Sequence, residues 1–347
     1  MTNSPHDDER LRLGKHGPAV FPIALGCMGM GGRSFYGDTD ETENIATIHA
    51  ALDRGVNLLD TGDFYGLGRN EMLVGRALAG RRDKALLSVK FGALRGPDGS
   101  FNGYDGRPAA VKNFLAYSLG RLGVDYVDIY RPSRLDPDVP IEETIGAVAD
   151  MVQAGYVRYI GVSELGVESM RRAASVHPLV DLQIEYSLLS RGPERTIFPL
   201  LRELGMATTA YGVLSRGLLA GSKPKAPSDF RANLPRFTGD NARDNQRLAD
   251  ALAALAQERG VTPVQLAIAW VRAKGEGLGV PVIPTIGART RRHLDEALGA
   301  LELTLSDEDV RTLEAAVPAD AVAGSRYPEA LMAHLDSERT ASQRGVA

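Results

Sequence analysis

Along this chain, apolar positions come in two arrangements that alternate. Short runs, apolar at nearly every position, recur at 23–25, 58–60, 86–90, 126–130, 159–161, 182–185, 207–211 and 282–284. Between them lie longer stretches in which apolar residues fall three and four apart, as at 43–54, 70–79, 109–122, 141–154 and 196–204. The second spacing is that of one face of an α-helix. The first is too short and too uniformly apolar for half-solvated strands, and fits strands covered on both faces. The alternation repeats eight times without a linker. It predicts one α/β domain over residues 1–347, a closed (β/α)8 TIM barrel, with an open doubly wound sheet as the alternative.

Two stretches depart from the alternation. LRLGKHGPAVFPIAL, at 11–25, reads as a hairpin with a glycine-containing turn, placed to cap the barrel bottom. After the seventh strand, residues 212–240 form a long irregular segment rich in Gly, Pro, Ser and Lys. Two consecutive helical patterns, 241–259 and 263–274, follow it. Long loops in compact domains are usually functional. The polar ends, about 1–9 and 333–347, are expected to be flexible.

A parallel barrel gathers its active site at the carboxyl ends of its strands, and the polar residues there are of useful types. NLLDTGDFYG (57–66) ends its strand in Asp60 with Tyr65 close behind, and SVKFG (88–92) ends in Lys90. The fourth strand runs into Arg131, Ser133 and Arg134, the fifth into Ser163 and Glu164, and the sixth carries Gln183 and Glu185. The seventh ends in Tyr211 and the eighth leads to Gly287 and Arg289. Singly, each has a plain reading as a turn signal, a solvated strand end or a core aromatic. Together they mark one rim. A free phenol has a pKa of ~10, so Tyr65 is a poor acid near neutrality unless its anion is stabilised. An ammonium from Lys90, held by Asp60, would do that.

Composition narrows the partners. With 40 basic and 44 acidic residues and no run of either sign, neither nucleic acid nor an anionic membrane is expected as a partner. Cys27 is the one cysteine, which excludes an internal disulfide and points to a reducing compartment. The N-terminus is polar and acidic, and no apolar run approaches the ~18 residues of a membrane span. The cytoplasm is the expected location. The six histidines form no ligand cluster on one element, so no metal is expected. The abundance of Ala, Arg and Gly fits a GC-rich bacterial genome. Self-association as a homo-oligomer stays open.

Across about 11–331 the chain closely resembles the aldo-keto reductases, NAD(P)H-dependent (β/α)8 enzymes. The nearer likeness is to the bacterial branch related to potassium-channel β subunits and pyridoxal reductases. The resemblance rests on LGCMGMGG (25–32), DTGDFYGLGRNEMLVGRAL (60–78), SVKFG (88–92), VDYVDIYRPSRLDP (124–137), GYVRYIGVSE (155–164), LQIEYSLLSR (182–191), AYGVLSRGLLAG (210–221) and IPTIGARTRRHLDEALGAL (283–301). It implies a catalytic tetrad of Asp60, Lys90, Tyr65 as proton donor, and a histidine for which this chain has Ser133. Loss of one oxyanion donor costs ~10²–10³ in rate in other enzymes. Either Ser133, a water on it or Arg131 takes that part, or the enzyme runs more slowly on most carbonyls; the plain reading is that Ser133 only fills space beside a water.

The resemblance also implies a cofactor site. Gly26, Met28 and Asp60 lie on the first two strands, and Ser163 and Gln183 hold the nicotinamide carboxamide. Glu164 stands where asparagine is usual, and Tyr211 stacks on the ring. Gly212, Val213, Leu214, Arg216 and Gly217 form the pyrophosphate loop, where free N–H groups suit phosphate. Gly287, Arg289, His293 and Glu296 receive the adenine end. There an arginine fork favours NADPH over NADH. Met30, Phe64, Phe91 and Arg131 are the residues expected to face the substrate. That substrate is an aldehyde or ketone: a bulky macrolide or polyketide ketone, pyridoxal or another aldehyde. Two other readings remain at this point. One is a nucleotide-binding redox-sensing subunit with slow turnover, and the other a barrel isomerase or aldolase using Lys90 as a Schiff-base nucleophile.

Overall fold

Eight parallel strands close on themselves in the computed structural model, which describes residues 10–339 except 32, 35, 36, 227 and 228. They are β1 (Ala24–Gly26), β2 (Leu58–Gly62), β3 (Leu86–Phe91), β4 (Val127–Pro132), β5 (Val157–Ser163), β6 (Leu179–Glu185), β7 (Ala207–Tyr211) and β8 (Val282–Ile286). Each pairs with its neighbours in chain order. Closure is made by β8 on β1, with Thr285 opposite Ala24 and Ile286 opposite Leu25. The architecture is the predicted (β/α)8 barrel, and the open sheet is excluded by that last pairing. The fifth and sixth strands begin earlier than the apolar runs suggest, because their first residues are hydrogen-bonded at the barrel bottom.

Helices α1 (Glu41–Asp53), α2 (Arg69–Leu78), α3 (Pro108–Leu122), α4 (Ile141–Gln153), α5 (Val167–Val176) and α6 (Pro193–Leu204) follow the first six strands. Helices α7 (Gly239–Glu258) and α8 (Pro263–Leu278) both lie between β7 and β8, and α9 (Arg291–Leu298) and α10 (Asp307–Ala316) come after β8. Local chemistry starts several of them. Asp40 accepts from the Thr42 and Glu43 N–H groups at the head of α1. Thr262 and Gln265 form a capping box with Pro263 in the first turn of α8.

The barrel bottom is plugged. Leu13 and Val20 of the antiparallel hairpin Leu11–Arg12/Ala19–Val20 pack with Ala24, Leu58, Ile129, Val180, Ala207 and Ile283 in one apolar layer. Water is thereby kept from the end opposite the site. At the open end sit a ribbon, Ala93–Arg95 with Phe101–Tyr104, and three short 3₁₀ turns, Ser215–Ala220, Phe230–Asn233 and Pro235–Phe237.

The C-terminal stretch corrects one expectation. Residues 333–339 are not a loose tail: Leu335 and Asp336 are buried, and Ser337 bonds the barrel rim. A polar sequence looks mobile until its partners are known, and here the partners are buried polar groups far away in sequence. Residues 1–9 and 340–347 lie outside the described residues. Among the described residues, no helix is long and apolar enough to cross a membrane.

Candidate active site

The strand register brings the first polar ends together. With Asp60 opposite Ser88 and Gly62 opposite Lys90, the Lys90 ammonium reaches Asp60 Oδ2 at 2.5 Å. Asp60 Oδ1 accepts from Ser88 Oγ at 3.1 Å and from Gln183 Nε2 at 2.9 Å. Lys90 is buried, and burial lowers its pKa against the opposing pull of Asp60. Tyr65 stands on the turn after β2, 6% exposed, with its ring centroid 5.1 Å from the Lys90 nitrogen. Phe64 packs edge-on against that ring at 4.7 Å. One further residue holds this corner and was not read from the sequence. Asn70 donates to the carbonyls of Cys27 and Met30 and accepts from Thr61 Oγ1, tying the β1 loop to β2. Its setting in GRNEMLV offers a helix-start signal but no sign of these distant partners.

Arg131 is not at the substrate side. It is fully enclosed inside the barrel, where Nη1 donates to Asp181 Oδ2 at 2.9 Å and Nη2 to Ser88 Oγ at 3.0 Å. Gly161 makes room for it, since a Cβ there would lie 2.6 Å from Asp181 Oδ1 and 3.1 Å from Arg131 Cζ. Arg131 lies on β4 with its side chain pointing inward, and a buried guanidinium demands a buried acid. It therefore supports Asp60 through Ser88. Met30 and Phe91, also expected to face substrate, are 2% and 1% exposed and belong to the main apolar core. Phe91 stacks on Tyr130 at 4.2 Å. Phe64 remains half-buried at the rim.

Ser133 sits at the end of β4, with its N–H donating to the Phe91 carbonyl at 2.9 Å. Its hydroxyl is buried and meets no protein partner. Such a group is expensive unless a ligand or water completes it. Beside it, Arg134 Nη1 donates to the Ser133 carbonyl at 2.5 Å and to Ser163 Oγ at 3.4 Å.

Glu164 is a second correction. Expected beside the carboxamide, it is fully buried with φ 53°, and its carboxylate is already occupied. Arg326 donates to both oxygens at 2.9 Å, Tyr211 OH and the Glu185 N–H to Oε1, and Ser337 Oγ to Oε2. Burial by itself would raise its pKa, but the Arg326 charge and hydrogen bonds hold it well below the ordinary carboxylate range. The segment carrying Arg326 crosses the barrel mouth. Tyr327 OH lies 3.2 Å from Tyr211 OH, Asp336 accepts from the Gly166 N–H, and the His334 ring meets Phe101 and Tyr104.

Toward the expected pyrophosphate position, Ser215, Arg216 and Gly217 take left-handed conformations in succession, a shape that turns peptide N–H groups to one side. Among the described residues, the Val213 and Leu214 N–H groups meet no protein acceptor. The Arg216 side chain turns away to Glu185, 3.0 Å off, under the Tyr327 ring. Arg231 staples the loop, donating to the Arg216 carbonyl and Ser222 Oγ while paired with Asp229. At the adenine end Gly287 is exposed and Arg289 half-buried, and Asn44 holds the Arg289 carbonyl at 2.9 Å. His293 lies 3.0 Å from Thr290 Oγ1. Burial and the neighbouring Arg292 lower its pKa, while Glu296 opposes them. Gly26 and Met28 are half-buried at the end of β1.

Residues 22–318 match the Aldo/keto reductase family. The chain is 39% identical over 324 residues to the probable aldo-keto reductase 1 of Glycine max, covering 91% of each. Among solved structures it is similar to a glycerol dehydrogenase of Gluconobacter oxydans, at 29% identity and a TM-score of 0.79, covering 96% of this chain and 98% of that one. It is also similar to an aldo/keto reductase of Klebsiella pneumoniae in complex with NADP and acetate. There the identity is 26% and the TM-score 0.70, over 92% of this chain and 98% of that one. This protein is a member of the aldo/keto reductase family.

Proposed function

We propose that this chain is an NADPH-dependent carbonyl reductase that converts an aldehyde or ketone to an alcohol. The observation that carries this reading is the buried Asp60–Lys90 pair beside the Tyr65 ring. An enclosed ammonium next to a phenol favours the phenolate, and so makes the phenol a better acid as the proton leaves. Asp60 balances Lys90, and Ser88 and Gln183 orient Asp60, so the charge is held without reorganising. The Ser133 hydroxyl, buried without a protein partner, is assigned as the second donor to the carbonyl oxygen that Tyr65 protonates.

NADPH, when bound, supplies the hydride. The residues present fit it. Among the described residues the Val213 and Leu214 N–H groups, without a protein acceptor, suit a pyrophosphate, and membership of the family supports assigning Gln183 and Ser163 to the carboxamide and Arg289 to the 2′-phosphate. The NADP complex of the Klebsiella relative supports the same choice of cofactor. Glu164 acts here through Tyr211, which it holds, rather than on the cofactor.

A Schiff-base route through Lys90 is checked by borohydride trapping in the presence of a carbonyl substrate, which should leave Lys90, held by Asp60, unlabelled. Tyr65→Phe tests the reading: turnover of aldehydes should fall by at least ~10², with NADPH binding measured by fluorescence retained. Undiminished turnover would show the acid misassigned. Wild-type binding of NADPH without repeated turnover on an aldehyde panel would favour the redox-sensing subunit instead.

A further inference from the structure

Several arginines within or around the barrel mouth are compensated by carboxylates. Arg131 pairs with Asp181, Arg216 and Arg236 with Glu185, and Arg326 with Glu164. Arg134 differs. Among the described residues no carboxylate lies within salt-bridge distance of it, and its hydrogen bonds, to the Ser133 carbonyl and Ser163 Oγ, are both made by Nη1. Nε and Nη2 make no hydrogen bond among the described residues. Around the guanidinium stand Tyr104, Tyr211, Tyr327 and Glu164, and the Glu164 charge is already taken up by Arg326.

Glu164 offsets the buried charge of Arg134 only from beyond salt-bridge distance and shares its own charge with Arg326, so a direct anionic partner would add to what the site already supplies. A planar fork with two open donors is the shape that receives a carboxylate in bidentate fashion. Arg134 is the chain neighbour of Ser133 and touches Ser163, so an anion held there stands beside the position proposed for the reacting carbonyl. We infer that Arg134 is a substrate-specificity residue, and that the substrate is a small carbonyl compound carrying a carboxylate. This rests on the reductase reading above and names the substrate class of the same site. In the reaction the carbonyl carbon takes the hydride and its two electrons from NADPH, and the oxygen takes a proton from Tyr65. NADP+ is released, and the carboxylate on Arg134 is unchanged.

The test compares 4-formylbenzoate with the neutral, near-isosteric 4-formylbenzamide, using NADPH, for the wild type, Arg134→Gln and Arg134→Lys. A charge-assisted bidentate contact is worth about tenfold or more. The wild type should therefore prefer the carboxylate by about that factor in kcat/KM, mostly through KM. Arg134→Gln should bring the ratio close to one, and Arg134→Lys should keep part of it. NADPH affinity and thermal unfolding, measured alongside, establish that the variants fold and bind cofactor. Equal wild-type use of both aldehydes, or an unchanged preference in Arg134→Gln, overturns the inference. So does a loss of NADPH binding in Arg134→Gln, which would assign the side chain to the cofactor. If the wild type reduces neither aldehyde nor any other carbonyl, the reductase reading itself falls, and this inference with it.

Discussion

Asp63 shows how one side chain beside the site couples to pH. Its N–H donates to the Lys90 carbonyl, its Oδ2 accepts from the Gly92 N–H at 3.3 Å, and its Oδ1 is buried without a partner. Burial, with Glu71 nearby, pushes the carboxyl up to about 7. An unfolded aspartate titrates near ~3.9, so between those values the folded state binds the extra proton. Stability then falls as pH rises from about 4 to about 7, by up to roughly 4 kcal/mol. Asp63→Asn mimics the protonated form. Urea unfolding should show that the variant lacks this slope and is the more stable protein at pH 8, with no advantage at pH 4. Parallel pH profiles for the two proteins would clear Asp63 of the effect. The same scale shows what could be read in advance. Asp60, Tyr65 and Lys90 are carried by two short stretches, and strand ends point where the barrel dictates. Arg131, Met30 and Phe91 were misplaced, because adjacency in sequence to a site residue does not say which way a side chain points.

Among the elements, the segment from Ala323 to Arg339 behaves as a strap across the mouth. Asn245 holds Ala323 by both its backbone groups, Arg326 enters the acidic pocket of Glu164 and Glu185, and Ser337 and Asp336 fasten the far end. Breaking a buried ion pair by removing one partner typically costs about 3–5 kcal/mol. Arg326→Ala leaves two buried carboxylates with less compensation. It should release the strap, seen as faster amide exchange over 325–338 with β1 to β8 still protected. Unaltered protection there would mean that the other bonds suffice without Arg326. None of this was visible along the chain, where the segment is merely polar, because its meaning lies in partners from 78 to 173 positions away.

At the scale of the whole molecule, Cys27 reports on integrity. It is fully buried in the main core, and burial, reinforced by Asp60, pushes its thiol up to about 12. A protonated thiol is a poor nucleophile, so Ellman's reagent should find no reactive group in the native protein and one per chain in guanidinium. Rapid labelling of the native protein would mean that the barrel opens at β1 without unfolding globally. The fold itself was legible because covered strands and amphipathic helices leave different periods, and eight repeats without a linker have one economical closure. The bottom plug was legible for the same reason. The sequence by itself determined the barrel, the order of its strand ends and the carboxylate, phenol and ammonium they deliver, since those follow from periodicity and position. Tertiary structure alone decided which charges are compensated. It locked Arg131 inside with Asp181, gave Glu164 to Arg326, drew the tail over the mouth and left Arg134 without a salt bridge among the described residues, because burial and long-range pairing are properties of the folded chain.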